Sequence, residues 1–409
     1  MQLTFARLTA FALLLFGLCA SAVHAEQIPV DSPRWNLQGE EARVVEFQGR
    51  RALRLKGAIA LLADAKFETG VIEFDMALTD NSPSFPGVFF RGVDELNYEH
   101  FYLRPHQSGN PDAHQYTPVI NGVTAWQIYS EYNGQMRYRL NEWFRVRLEI
   151  ADDSARVFVD SEEPRLVVPD LKRERAAGFV MLRGSSGGAY FSNISITPGP
   201  VAAVPPAPAT TLPAGLIRTW AVSGAMREAD AYAAAAANKL DGIAWTPLPV
   251  ETKGVANLAR AAKRTDEAPT VLARVSVRAD KARTAPLRLG FSDRVQVYLN
   301  GTLLFAGNDQ QGSRDYRFLG TVGLYDTLYL PLRAGDNDVV FAVTESGSAP
   351  NGGGWAAYGV FDDMTGLALS TRGAARADRS RLIASPETSA SALQMSAKVI
   401  ACVWVKGSS

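Results

Sequence analysis

From residue 70 to residue 196 the chain repeatedly alternates apolar and polar side chains at every second position, in "GVIEFDMAL", "HFYLR", "WFRVRLEI", "ARVFVD" and "AYFSNISI". Period two is the signature of a β-strand with one buried face, and the Gly, Pro, Asn and Asp clusters between the runs supply turns. In the first run Ile72, Phe74 and Met76 fall on the buried face, with Glu73, Asp75 and Ala77 opposite. The pattern predicts an all-β sandwich over residues 26–197. Farther on, "DAYAAAAANKL" is the one convincing helical run, and strands resume with "VQVYLNGTLLFAG". There the Asn300-Gly301 pair supplies the two positive-φ positions of a type I′ hairpin turn. "DTLYLPL", "AGDNDVVFAVTES" and "WAAYGVFDD" complete a second, smaller sandwich over residues 216–370.

Between them, residues 198–215 lie in "TPGPVAAVPPAPATTLPAGL", a Pro/Ala/Thr stretch that acts as a semi-rigid spacer. The expected architecture is therefore two jelly-roll sandwiches on a Pro-rich linker, with one short helix in the second. Residues 371–409 are Ala/Ser/Arg-rich and read as a mostly disordered tail, in which "VIACVWV" is a candidate edge strand. At the other end, Arg7, an apolar block from Leu8 to Leu18, and small residues up to Ala25 form a secretory signal-peptide pattern over residues 1–25. The expected location is periplasmic or extracellular, with no membrane insertion after the signal is removed. Of the two cysteines, Cys19 would leave with the signal, so Cys402 has no partner for an internal disulfide.

Forty-two basic and forty-two acidic residues cancel, which removes the electrostatic footprint of a nucleic-acid binder and favours neutral partners. No glycine loop before a helix suits a nucleotide, a lone cysteine cannot hold a cluster, and no Gly-x-Ser-x-Gly elbow is present. No cofactor is expected.

The first domain resembles the concanavalin A-like lectin/glucanase superfamily, including family-16-like glycoside hydrolases and keto-disaccharide-hydrolase-like domains. The resemblance rests on "GVIEFDMAL", on "WFRVRLEI" with "ARVFVD", and on the closing "GGAYFSNISI", over roughly residues 30–197. It implies a sandwich that binds or cleaves glycans. The glucanases carry Glu-x-Asp-x-Glu on the corresponding strand, and this chain has Glu73-x-Asp75-x-Ala77. The second glutamate is missing. Glu73 and Asp75 would lie roughly 6.5 Å apart by strand rise, a spacing near those glycosidases use, yet an alternating carboxylate pair is also ordinary decoration of a solvent face. The second domain resembles the galactose-binding-like jelly rolls appended to secreted glycoside hydrolases, through "SDRVQVYLNG" and "LPLRAGDNDVVFAV". Its Trp245 and Trp355 are either stacking rings or core.

The segment "YEHFYLRPHQSGNPDAHQY" holds three histidines. Continued at period two, it sends Phe101 and Leu103 to the core and puts Tyr98, His100, Tyr102, Arg104 and His106 on the opposite face. Rings interleaved with fixed hydrogen-bond donors suit a sugar, whose C–H faces stack while its hydroxyls need directional partners. Asp112, His114, Gln115 and Trp126 extend that surface from the following loop, and Arg91 in "VFFRG" is a further candidate. Histidine ligation of a metal is not expected, because His100 and His106 would stand roughly 20 Å apart on a continuous strand. Asn110 and Asp112 are candidate oxygen ligands for calcium.

Three functions follow. The first is an exported, non-catalytic protein recognising a neutral glycan on this face. The second is a glycoside hydrolase or lyase in which Glu73, Asp75 or His106 moves the proton. The third is a structural or adhesive module whose face is covered.

Overall fold

The computed structural model describes residues 25–313, 321–347 and 353–371. The signal-peptide pattern up to residue 24, both cysteines and nearly all of the C-terminal tail lie outside these residues.

The fold is all-β, with a single α-helix among the described residues, Glu228–Ala236. In the N-terminal half the principal strands are β1 (Asn36–Phe47), β2 (Arg50–Phe67), β3 (Gly70–Ala77), β4 (Gly87–Asp94) and β5 (Asn97–Leu103). They continue as β6 (His114–Ile120), β7 (Trp143–Ile150), β8 (Ala155–Val159), β9 (Gly178–Gly184) and β10 (Ala189–Pro198). All pair antiparallel in one curled sheet, in the order β8-β7-β3-β10-β2-β9-β4-β5-β6. The curl originates in β2. Its residues Leu53 and Leu55 pair with β10, whereas Ala58 to Phe67 pair with β9, so one strand serves both layers of the sandwich. The bend falls at Gly57 (φ 52°), opposite Gly39 (φ 117°) on β1, where a Cβ on Gly39 would stand 2.3 Å from the Gly57 carbonyl oxygen. Only glycine tolerates both that backbone and that approach.

Between the layers lies a core that includes Leu53, Leu55, Ile72, Phe74, Met76, Phe101, Leu103 and Phe191, all essentially inaccessible. Ile72, Phe74 and Met76 thus face inward as their alternation predicts, and so do Phe101 and Leu103.

The C-terminal half comprises a seven-stranded and a four-stranded antiparallel sheet among the described residues, enclosing a core around Trp220, Phe291, Phe341 and Trp355. Both predicted turn residues of its hairpin have positive φ, 52° at Asn300 and 86° at Gly301. Trp355 is fully buried and donates to the Val343 carbonyl at 3.0 Å, while Trp245 is buried under the Arg274 guanidinium. Both tryptophans are spent on packing. The Pro-rich stretch runs along the N-terminal half: the Arg156 guanidinium donates to the carbonyls of Ala202 and Ala203, and Val204 N donates to Ser154 Oγ.

The two halves are joined by more than this stretch. Ile120 and Val123 belong to the C-terminal core, and Val255 and Ala356 to the N-terminal one. Gln127 N donates to Gly353 O at 2.8 Å, Val322 N donates to Gln127 O at 3.0 Å, and Ser292 Oγ donates to Gln127 Oε1 at 2.7 Å. Tyr129 OH donates to Glu251 at 2.9 Å, and Asn121 Nδ2 donates to Ala259 O at 2.8 Å.

Candidate functional site

β5 lies between β4 and β6, so its outward side chains meet partners on both sides. Tyr102 pairs with Gly87 and Gln115, and His100 with Phe89 and Thr117. Because cross-strand partners share a face, these residues form one outward-facing patch, to which β9 adds Phe179, Met181 and Arg183. The rings run as a ladder, from Tyr98 to Phe89 at 4.8 Å, Phe89 to His100 at 4.0 Å, His100 to Tyr102 at 4.7 Å and Tyr102 to Phe85 at 5.7 Å.

The two ends of this patch differ. At the Tyr98 end, Ile59, Leu61, Phe89, Val119, Phe179 and Met181 pack with the tyrosine into a closed apolar cluster. Both Tyr98 and Tyr102 are buried, at 4% exposure each, and neither is the open ring expected from alternation; Tyr98 packs inside this cluster, whereas Tyr102 lines the cavity. At the Tyr102 end a cavity of about 450 Å³ opens, lined on this side by His100, Tyr102, Arg104, His106, Asp112 and Trp126. The C-terminal half closes its other side with Asp293, Gln310, Gln311 and Thr321. A volume of this size is ordinary for a small-ligand pocket.

Arg104 organises the cavity wall. Its guanidinium donates to the Tyr102 hydroxyl at 2.9 Å, to Gln115 Oε1, and to the Asp112 carbonyl and carboxylate at 3.0 and 3.3 Å. It also sits over two rings, 5.2 Å from the Tyr102 centroid and 5.9 Å from that of Trp126. Gln115 holds the arrangement by accepting from Tyr102 OH at 2.7 Å and donating to Trp126 O at 3.0 Å. Gln115 is therefore a support behind the wall, fully buried, and does not itself line the cavity. With its terminal N–H groups taken by Tyr102, Gln115 and Asp112, the guanidinium fixes the wall and the two rings it sits over.

The histidines are neutral groups. Burial holds His100 well below the usual imidazole range, with the Arg183 charge acting in the same sense. Burial and then Arg104 lower His106. His106 is not on the strand, as continuous alternation would have it; β5 ends at Leu103, and Pro105–Gln107 forms a 3₁₀ turn. That turn brings His106 back over Phe85, at 5.5 Å, and lets its Nδ1 accept from Ser84 N at 3.4 Å. With Nδ1 accepting, the ring proton is on Nε2.

Other sequence candidates lie elsewhere. His114 pairs across from Leu103 and so shares the core face of that strand, where its ring lies 5.8 Å from Phe101 and its Nε2 is 3.4 Å from Arg165 O. Burial lowers its pKa to about 4. Arg91 is diverted by an irregularity in the β4–β5 ladder and by its own positive φ of 51°. Its guanidinium is fully buried and donates to the carbonyls of Glu68 and Ala151. Asp75 is on the outer face of the opposite layer and is clasped by Arg50 at 2.7 Å, Arg145 at 3.0 Å and Asn193 at 2.6 Å. Glu73 lines a separate shallow groove with Arg145, Arg147 and Phe158. Both layers of the curled sheet and the core between them separate this carboxylate pair from His106 and Arg104, so the two cannot act on one bond. Asn110 turns its amide to Gln107 at 2.6 Å and Asp112 turns to Arg104. Among the described residues no group of three or more His, Cys, Asp or Glu side chains is arranged to hold a metal ion.

Sequence reasoning missed Phe85, Arg183, Gln127, Asp293 and Gln310. For Arg183 a signal existed, since alternation through "FVMLR" puts it on the face of Phe179 and Met181. For the C-terminal residues no local signal existed.

No family model matches the chain, and no curated protein matches it. Among solved structures it is similar to the carbohydrate binding module CBM66 from Bacillus subtilis, at 14% identity and a TM-score of 0.29 over 39% of this chain and 95% of that one. It is also similar to a Bacillus subtilis protein of unknown function with a galectin-like fold, at 11% identity and a TM-score of 0.31 over 42% and 94% of the two chains. A third is SCLam, a non-specific endo-β-1,3(4)-glucanase from family GH16, at 10% identity and a TM-score of 0.31 over 42% and 89%.

Proposed function

We propose that the protein is an exported, non-catalytic carbohydrate-binding protein that holds a neutral glycan in the cavity between its halves. The observation that carries this reading is Arg104, fixed by Tyr102, Gln115 and Asp112 and placed over the rings of Tyr102 and Trp126 at the cavity wall. Rings held in place by Arg104 supply apolar faces for sugar C–H groups, and the His106 Nε2–H and the amides of Gln107 and Gln311 supply directional partners. The cationic and acidic side chains at the cavity, Arg104 and Arg183 against Asp112 and Asp293, balance, which suits an uncharged ligand.

Against catalysis stands the placement of Glu73 and Asp75 on the far layer, away from every other candidate. A purely structural role expects a covered face, and the C-terminal half does cover it; the cavity between them is what favours a ligand. Glycan-array binding by the wild-type protein and by the Arg104→Ala/His106→Ala double variant tests the reading, with Trp126→Ala as a variant that leaves the Arg104 bonds in place. Each variant's folding is checked by its circular dichroism. Binding by wild type, lost in the folded variants, is the expected result. Binding that survives both changes refutes the site, and release of cleaved product from any bound glycan refutes the non-catalytic reading.

A further inference from the structure

The N-terminal half supplies the cavity with rings and an arginine; the C-terminal half supplies a carboxylate. Asp293 stands between two strands of that half, Arg283–Ser292 and Arg294–Leu299, and lines the cavity at 5% exposure. One of its oxygens accepts from Ser346 N at 3.1 Å and Ser346 Oγ at 2.9 Å. Ser292 Oγ is 3.2 Å from the other oxygen, but that hydroxyl has one proton and lies nearer to Gln127 Oε1, at 2.7 Å. Behind Asp293 is Glu345, fully buried, its own oxygens accepting from Gly347 N at 3.1 Å and Gly354 N at 3.3 Å. Burial first, and then the charge of Asp293, push the Glu345 carboxyl well above the usual range.

An ionised carboxylate offers about four acceptor positions. Ser346 fills two of them, both on one oxygen, and Asp293 lines the cavity. Gln310, on the same wall, is held by the same serine, its Nε2 donating to Ser346 Oγ at 2.7 Å.

We infer that the C-terminal half supplies the selectivity of the binding site, with Asp293 accepting a ligand hydroxyl across the cavity from the Tyr102 and Trp126 rings that Arg104 fixes, and Gln310 and Gln311 flanking it. This rests on the carbohydrate reading above and sharpens it to a class: neutral saccharides with an unsubstituted hydroxyl at that position. An O-methylated sugar has no proton to offer there, and a uronate brings a carboxylate against Asp293. A site built to bond a hydroxyl discriminates strongly against analogues that leave its buried polar group unpaired.

The test uses the full chain and the neutral oligosaccharide that binds best on the array, with its O-methylated and uronic counterparts, titrated calorimetrically. Asp293→Asn should weaken the neutral ligand at least ~10-fold, about 1.4 kcal/mol, and should narrow the preference for neutral over uronic sugar. Gln310→Ala/Gln311→Ala guards against a misfolded Asp293→Asn protein, because Gln311 is exposed, and should weaken binding severalfold. If wild type binds a glycan while Asp293→Asn and the double glutamine variant bind it within twofold and with unchanged selectivity, the inference is overturned and the N-terminal site stands. If wild type binds no glycan at all, the carbohydrate reading itself fails.

Discussion

Arg104 shows how much one side chain can organise when its donors are divided among a phenol, an amide and a carboxylate. Arg104→Lys keeps the charge but loses the planar fork and its stacking. Calorimetric titration with the best-bound glycan should show affinity down about tenfold or more, with a smaller loss in melting temperature than for Arg104→Ala. The histidines make a second prediction. His114 is neutral in the fold and titrates near 4, against 6.5 in an unfolded chain, so as pH falls through 6.5 the unfolded state takes up a proton that the folded state refuses. Stability is therefore full above 6.5 and declines toward pH 4, by roughly 3 kcal/mol for His114. His100, lowered in the same direction, adds to the decline. Urea midpoints at pH 7 and pH 5 should differ, and His114→Gln should flatten the difference; equal midpoints would contradict the buried neutral assignment. At this scale the sequence was partly legible. Parity correctly paired Tyr102 with Arg104 and set both against Phe101, but it cannot register a positive φ at Arg91 or a turn that recovers His106.

Strands were legible because period two follows from the backbone, whatever the partner. What single runs do not reveal is where a strand changes layers. In Arg50–Phe67 that happens at Gly57, and its necessity appears only when Gly39 lies against the Gly57 carbonyl. Gly39→Ala combines a left-handed φ with a contact to backbone that cannot yield, so a loss of about 3 kcal/mol is expected from strain and overpacking together. Chemical denaturation measures it, and a variant as stable as wild type would show that the bend does not depend on this glycine. The Glu-x-Asp strand teaches the converse lesson. Its alternation was read correctly, yet the layer to which the strand belongs decides its function, and Asp75 went to an arginine clasp on the outside.

For the whole molecule, the shared cores and the cavity were not legible in the sequence. Asp293 and His106 are nearly two hundred residues apart in sequence, so no local pattern could bring them together. Ile120 and Val123 packing into one core, and Val255 and Ala356 into the other, tie the halves into one cooperative unit. Scanning calorimetry should therefore give a single transition. Gln127→Ala removes one of the bonds across the junction and should lower the melting temperature while weakening ligand binding; two separate transitions in the wild type would contradict the coupling.

The central claim is a place, and a crystal soaked with the best-bound oligosaccharide locates it directly. Difference density is expected between Tyr102, Trp126 and Arg104 on one side and Asp293 and Gln310 on the other. Sugar found instead in the groove by Glu73 and Arg147, with the cavity empty, would contradict it.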